Sequence, residues 1–440
     1  MPTQKITRFM GIEEEEDWTF ADADTQYMTH GLHPYPARMI PQIARRLIIR
    51  YSKPGSDIVL DPFAGSGGVL VETSLKLPSK LATEEIGARK SYGIDINPLA
   101  LLLAKAKTTP IKPTLLKSAV KKLLSKVRDE IEAYESGRLH VSAPDFFNID
   151  YWFKPKVKNE LQIIRENIKT INCDDDVKNF LKVCFSKTVR DSSNTRSREF
   201  KLYRIPKNEL AKYDPDVYKI FKENVEKGIR GMEQYYNACE KSQWARPKLL
   251  NEDTRDRTSI PKESINLVVT SPPYGDSRTT VAYGQFSRLS MQWLNIDDSS
   301  SGSIDKKGLG GIKTKTLEHS LESHTLSLIL EKIASKDEER AKDVLSYFID
   351  LNKCLNEISR VTVHEGRVCI VIGNRTVKGF RIPTNQIITE LGEKAGLEHD
   401  TTHERRIPMK RMPWENAPSN VPGEKVSTIH QEYIIILRKM

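Results

Sequence analysis

Apolar residues run along this chain in two rhythms. Short unbroken apolar runs predict buried strands at Asp57–Leu60, Ser91–Ile94, Lys248–Leu250, Ile265–Val269, Val368–Ile372 and Tyr433–Leu437. Apolar positions three and four apart predict helices. They are Ile43, Ala44, Leu47 and Ile48 within Pro41–Arg50, and the Leu- and Ala-rich segment Pro98–Lys107. The same spacing recurs at Leu116, Val120, Leu123, Val127, Ile131 and Tyr134, then at Tyr218, Phe221, Val225, Ile229 and Met232 within Asp216–Trp244, and a last helix is expected over Lys342–Ser359. Strands alternating with helices predict an α/β fold on a mostly parallel sheet. From about Thr109 the pattern turns helical and lysine-rich, so residues 111–245 read as a helical insertion between the second and third strands. Residues 1–110 and 246–440 are then two parts of one domain. Residues 296–316, rich in Ser, Gly and Lys, read as a mobile loop. No repeat of solenoid period is present.

Composition narrows the class. The chain has 440 residues, 38% hydrophobic and 29% charged, which fits a globular protein. No apolar run approaches the ~18 residues of a membrane helix. Met1–Glu16 has no signal-peptide core and carries Glu13–Glu16, so the expectation is a cytoplasmic protein with no membrane partner. Lys plus Arg number 69 against 59 for Asp plus Glu, a net charge of +10, which suits a phosphate backbone as partner. The densest basic stretch is Lys187–Arg204. The five cysteines, Cys173, Cys184, Cys239, Cys354 and Cys369, form no Cys-x-x-Cys pair, which argues against a disulfide framework or a zinc site. His30 and His33 lack metal-site spacing, and no metal is expected.

Two strand ends carry the chemistry. The run Ile265–Val269 leads into Thr270-Ser271-Pro272-Pro273-Tyr274-Gly275-Asp276. Two prolines fix φ and remove two N–H donors, leaving a rigid corner. Ser271 and the Pro272 carbonyl can accept hydrogen bonds from an amino group there, and Tyr274 offers a ring face for stacking. A plain turn is the competing reading. Upstream, Asp57–Leu60 leads into Asp61-Pro62-Phe63-Ala64-Gly65-Ser66-Gly67-Gly68, a Gly-rich turn before a helix that lets a ligand approach the backbone. The next strand ends at Asp95-Ile96, where a doubly wound fold places the acid for a ribose hydroxyl pair.

Asp61–Gly67 together with Ser271–Tyr274 resembles the amino-directed DNA methyltransferases of restriction–modification systems. The resemblance covers roughly residues 25–110 and 246–440. It implies a Rossmann-like class I methyltransferase fold, S-adenosyl-L-methionine as cofactor, and double-stranded DNA as substrate. A cognate restriction endonuclease is an implied partner, and the chain is expected to be a monomer or homodimer. His30–Arg38 resembles the segment that closes over the cofactor's methionine end, with His33, Tyr35 and Pro36 as candidates. Asn251–Arg255 resembles the third-strand segment whose acid, Asp253, faces the adenine. In the family the methyl group goes to cytosine N4 or adenine N6, and a Ser at the first corner position favours cytosine N4. No cysteine follows a proline, so the nucleophile of cytosine-C5 enzymes is missing.

The exocyclic amine is a poor nucleophile because its lone pair is delocalised. Accepting its hydrogens at Ser271 and Pro272 draws the nitrogen towards sp³, and in-line placement of donor and acceptor supplies most of the rate. The base must leave the duplex, at a cost of roughly a few kcal/mol. Stacking on Tyr274 offsets part of this. The glycine-loop enzymes that modify guanosine N2 of RNA share a similar pair of corners and stay open as an alternative, as does a non-catalytic nucleic-acid-binding protein that keeps the fold. Only 29 residues follow Arg405–Arg411, so target recognition is expected in the insertion or in 296–340. Candidate DNA contacts are Arg190, Arg196, Arg198, Lys201 and Arg204, with Arg278 and Lys313.

Overall fold

In a computed structural model of the chain, the described residues are 17–75, 77–78, 85–196, 200–239, 246–277, 279–296, 304–408, 415–416, 426–427 and 429–440. Seven strands form one sheet: β1 (Ile58–Asp61), β2 (Lys90–Ile94), β3 (Lys248–Leu250), β4 (Ile265–Thr270), β5 (Thr362–Gly373), β6 (Leu397–Arg406) and β7 (Gln431–Lys439). Their spatial order is β6-β7-β5-β4-β1-β2-β3. All neighbours are parallel except β7, which runs antiparallel to both β5 and β6. The order reverses between β1 and β4. Their C-terminal ends carry Asp61 and Thr270, so both chemical corners open into one crevice. This is the Rossmann-like class I methyltransferase topology.

The inner strands are apolar on both faces because helices cover both. On one face α1 (Pro41–Tyr51) buries Ile43, Ala44, Leu47 and Ile48 against Val59, Leu267, Val269, Cys369 and Ile434. On the other, α10 (Glu338–Val361) and α11 (Thr384–Lys394) pack on Leu60, Val268, Ile370 and Ile435. The helix after the Gly-rich turn, α2 (Gly68–Thr73), is followed by α3 (Pro98–Thr108), which starts with Asn97 as N-cap, its side chain accepting from Leu99 N–H at 3.0 Å.

The insertion is helical. It holds α4 (Pro113–Glu135), α5 (Pro155–Thr170), α6 (Asp175–Ser192) and α7 (Val217–Ala238). The apolar stripe Leu116, Val120, Leu123, Val127 and Ile131 is buried. It shares a core with α3 and with α8 (Tyr283–Leu294), the helix after the Ser-Pro-Pro-Tyr corner. The helix expected to reach Trp244 ends at Ala238, and 240–245 lie outside the described residues. The basic stretch also differs from expectation: Lys187 and Arg190 belong to α6, whose buried face runs through Phe185 and Val189. Of the loop expected over 296–316, residues 297–303 lie outside the described residues, while Ile304–Lys307 is a helical turn beside the crevice. A last helix of the α10 layer, α9 (His324–Ala334), completes that face. No described helix is long and apolar enough to cross a membrane.

Candidate active site

The crevice at the strand ends is the place where the sequence motifs converge. Tyr35, Pro36, Asp61, Pro62, Phe63, Ala64, Gly65, Ser66, Asp95, Ile96, Asp253, Ser271 and Pro273 all line it. They come from segments more than 200 residues apart, so the sheet alone brings them together.

The Gly-rich turn is held from below and beside. Gly67 has φ of +79°, and a Cβ there would lie 2.8 Å from Ala104 Cβ, so the position needs the left-handed backbone and a bare α-carbon. Asp61 is buried, and its carboxylate accepts from Thr270 Oγ1 at 2.7 Å and from Phe63 N–H at 3.2 Å. The bond to Thr270 joins the two corners directly. Burial pushes the Asp61 carboxyl up to about 7, against the lowering effect of these two donors. Asp95 accepts from Gly65 N–H at 2.9 Å and Asn97 N–H at 2.8 Å, and burial raises it to about 6. Ser66 Oγ receives Lys107 Nζ at 3.0 Å.

The segment before the turn is anchored by Glu72. This buried carboxylate receives His30 Nε2 at 2.7 Å, Arg45 Nε at 2.7 Å, and the Tyr27 hydroxyl. Tyr35 is buried at the wall against Tyr283 and Phe286, at ring-centroid distances of 5.8 and 5.6 Å. His33 does not line the crevice. Its ring hydrogen-bonds Ser186 of α6 at 3.0 Å and the Pro34 carbonyl at 2.6 Å, and burial pushes it well below the ordinary histidine range. It is a strut between the segment before the Gly-rich turn and the insertion.

At the second corner Ser271 and Pro273 face the crevice, while Pro272 and Tyr274 do not line it. The Tyr274 hydroxyl donates to Glu432 at 2.8 Å and receives Ser271 Oγ at 3.5 Å. Its ring edge lies against Gly373, where an added Cβ would be 2.9 Å from Cδ2. Tyr347 donates to the Pro273 carbonyl at 2.8 Å. Gly275 carries the Arg375 guanidinium, whose Cζ would be 2.5 Å from a Cβ there, and Arg375 pairs with buried Asp276 at 2.8 Å. The corner is therefore fixed by groups from β7, from α10 and from the loop after β5 that no local motif announces.

Asp253 lines the crevice, yet Arg255 takes both its oxygens, at 2.6 Å from Nη2 to Oδ2. Burial raises this carboxyl, but the Arg255 bonds outweigh that and hold it below its usual range. Sequence reasoning missed Tyr283, Asp305, Gly308 and Leu309, which close the crevice from 296–316 and α8. Asp305 accepts from Gly284 N–H at 2.7 Å. An acid in a Gly/Lys loop gave no distinctive signal. The described residues contain no cluster of metal-ligating side chains.

The candidate DNA contacts divide. Arg190 lies over the Phe286 ring at 3.9 Å and donates to the Phe286 carbonyl at 2.7 Å. Lys313 pairs with Glu339 and Asp343 at 3.0 and 3.2 Å. Arg196 is exposed, Lys201 half-buried, and Arg204 stacks on Tyr151 at 4.1 Å. Arg198 and Arg278 lie outside the described residues.

Strand order, a Gly-rich turn joined to an acid at the next strand end, and a Ser-Pro-Pro-Tyr corner in the same crevice define a methyltransferase. The chain belongs to the type II methyltransferases. It is 40% identical over 434 residues to the type II methyltransferase M.MvaI of Kocuria varians, covering 95% of this chain and 93% of that protein. It is also 32% identical over 118 residues to the type II methyltransferase M.MjaII of Methanocaldococcus jannaschii, 26% of this chain and 20% of that protein. No family model matches. Among solved structures, a putative DNA modification methylase of Thermus thermophilus complexed with S-adenosyl-L-methionine overlays with a TM-score of 0.22 at 21% identity, covering 42% of this chain and 51% of that one. An rRNA methyltransferase of Streptomyces viridochromogenes overlays with a TM-score of 0.29 at 10% identity, over 92% and 88% of the two chains. Overlays this poor carry no weight for the fold.

The crevice fits S-adenosyl-L-methionine. The bare Gly65 lets a ligand come close to the turn, the Asp95 carboxylate stands at the second strand end, and Tyr35, Pro36 and Phe63 supply apolar wall.

Proposed function

We propose that the chain methylates DNA, moving the methyl group of S-adenosyl-L-methionine to the exocyclic amine of an extruded base, cytosine N4, within a restriction–modification system. The observation that carries this reading is the shared crevice: Ser271 stands at the wall that also holds Asp61, Gly65 and Asp95, with Thr270 bonded to Asp61. The cofactor supplies an electrophilic methyl on sulfonium sulfur. The protein's part is to hold the acceptor nitrogen in line with it. Ser271 Oγ, at the crevice wall, takes a hydrogen of the amine, and the Pro-Pro corner keeps it still. Asp95 and the Gly65 backbone hold the nucleoside, and Tyr35 with the lid covers the far end. Asp253 acts through Arg255, shaping the adenine side of the wall. Tyr274, half-buried behind Ser271 with its hydroxyl fixed by Glu432, is the ring nearest the extruded base at this corner.

Incubation with tritiated S-adenosyl-L-methionine and duplex DNA, transfer RNA or no acceptor tests the reading. Label in DNA, recovered as N4-methylcytosine after digestion, is the expected result. Label as N6-methyladenine would correct the target base, and label in RNA alone would overturn the DNA reading. Sequencing modified bases in DNA from a host expressing the protein gives the recognition site.

A further inference from the structure

Exposed apolar side chains gathered into one patch, unlike those scattered singly, mark an interaction surface. Among the described residues the exposed large aromatics are Phe147, Tyr151, Phe200 and Tyr203, at 78, 45, 44 and 49% exposure. They sit in two segments of the insertion that the structure ties together. Asn194 donates its backbone N–H to the Trp152 carbonyl at 2.7 Å and its side-chain amide to the Tyr151 carbonyl at 3.1 Å. Arg204 lies over the Tyr151 ring at 4.1 Å. The second segment doubles back on itself, with Arg196 N–H on the Tyr203 carbonyl at 2.8 Å and Ile205 N–H on the Asn194 carbonyl at 2.9 Å. Tyr203 and Arg196 are therefore neighbours on one surface.

The patch adjoins the active site. The Phe200 ring is 6.0 Å from Phe286, which packs at 5.6 Å on Tyr35 of the crevice wall. Burial raises the carboxyl of Asp305, another crevice residue, and the charge of nearby Lys201 is among the smaller effects that oppose it. The charge is mostly basic. Arg196, Lys201 and Arg204 lie among the rings; of the nearby acids Asp150 is paired with Lys158 and Asp191 with Lys187, which leaves Asp145 and, at the crevice edge, Asp305. Rings interleaved with cations suit a polyanion that has flat faces to stack, and a plain protein-binding patch has no need of the cations.

We propose that Tyr151, Phe200 and Tyr203, with Arg196 and Arg204, form a stacking platform for bases of DNA unstacked beside the crevice. This deepens the DNA reading above and rests on it. Extruding a base breaks stacking on both sides of the gap. A platform two ring contacts from the crevice holds the disturbed strand, and the arginines hold its phosphates. The rings give affinity without sequence preference, because every base has a π-face.

The test uses the full chain, a labelled short oligothymidylate, and an abasic strand of the same length, read by fluorescence anisotropy at fixed salt. Wild type is expected to bind the thymidylate about 10-fold tighter than the abasic strand. Tyr151→Ala/Tyr203→Ala should lose that preference and keep the weak abasic binding. Tyr203→Phe should retain it, which separates stacking from a folding defect. Arg196→Ala/Arg204→Ala should weaken both probes and flatten the salt dependence. Equal wild-type binding of both probes, or an unchanged double tyrosine variant, overturns the platform. So does a wild-type dimer in solution that the tyrosine changes dissociate, which would assign the patch to a second copy. Tritium transfer to duplex DNA by wild type, run alongside, keeps the two ideas apart. Transfer without base preference sinks the platform alone, and no transfer to DNA sinks the reading beneath it.

Discussion

Lys107 Nζ lies 3.0 Å from Ser66 Oγ, fully buried at the end of α3 beside the Gly-rich turn. Among the described residues no carboxylate pairs with it. Burial first, then the charge of Arg38, pushes its amine well below the ordinary lysine range. The α3 carbonyl end favours positive charge there, by up to about 1 kcal/mol.

Lys107 therefore holds the Ser66 side chain, which lines the crevice. Lys107→Met should weaken S-adenosyl-L-methionine binding roughly 10-fold, about 1.4 kcal/mol, while the fold stays intact or gains stability. Ser66→Ala should match it, and the double variant should be no worse than either. Titration calorimetry on the three variants checks this; additive losses would mean the two residues act separately.

The Gly-rich turn should tolerate no side chain at Gly67. A Cβ at 2.8 Å from Ala104 on a backbone of φ +79° asks α3 to move. Gly67→Ala is expected to cost about 1–3 kcal/mol in thermal unfolding and to abolish measurable cofactor affinity. A variant with wild-type melting and affinity would show that α3 yields freely.

Asp61 makes stability depend on pH in a definite direction. Its folded value, about 7, lies above the ordinary 3.8, so folding favours the protonated form. That contribution is complete below about pH 4 and is lost as pH rises through about 7. Asp61→Asn removes the titration. Relative to wild type, the variant should gain on the order of 1–3 kcal/mol between about pH 5 and pH 8. Denaturant unfolding at both pH values measures it, and a constant difference would place the raised carboxyl elsewhere.

Tyr274 and Glu432 separate ring from hydroxyl. Tyr274→Ala should lower turnover roughly 10- to 100-fold with cofactor affinity nearly intact, and Tyr274→Phe should recover most of it. Glu432→Ala leaves Arg405, 5% exposed, without its 2.9 Å partner, at a cost of about 3–5 kcal/mol. Steady-state kinetics and melting on the three variants check both. Full activity in Tyr274→Ala would leave the ring a purely structural part.

The sequence by itself determined the strand ends and the residues that stand on them. Asp61–Gly67, Asp95 and Ser271–Tyr274 were legible because each is a local device: a glycine forced to positive φ, a proline that fixes φ, an acid at the end of an apolar run. Helices such as Pro113–Glu135 were legible for the same reason, through spacing within one segment. Only the tertiary structure decided which charges were free and what holds the corners. Arg190 and Lys313 look available in a basic stretch, yet Phe286 and Glu339 occupy them from segments far along the chain. Lys107, Glu432, Arg375 and Asp305 carry no local pattern at all. Their roles come from distances between strands and helices that meet only once the sheet has formed, and a one-dimensional pattern holds no record of such distances.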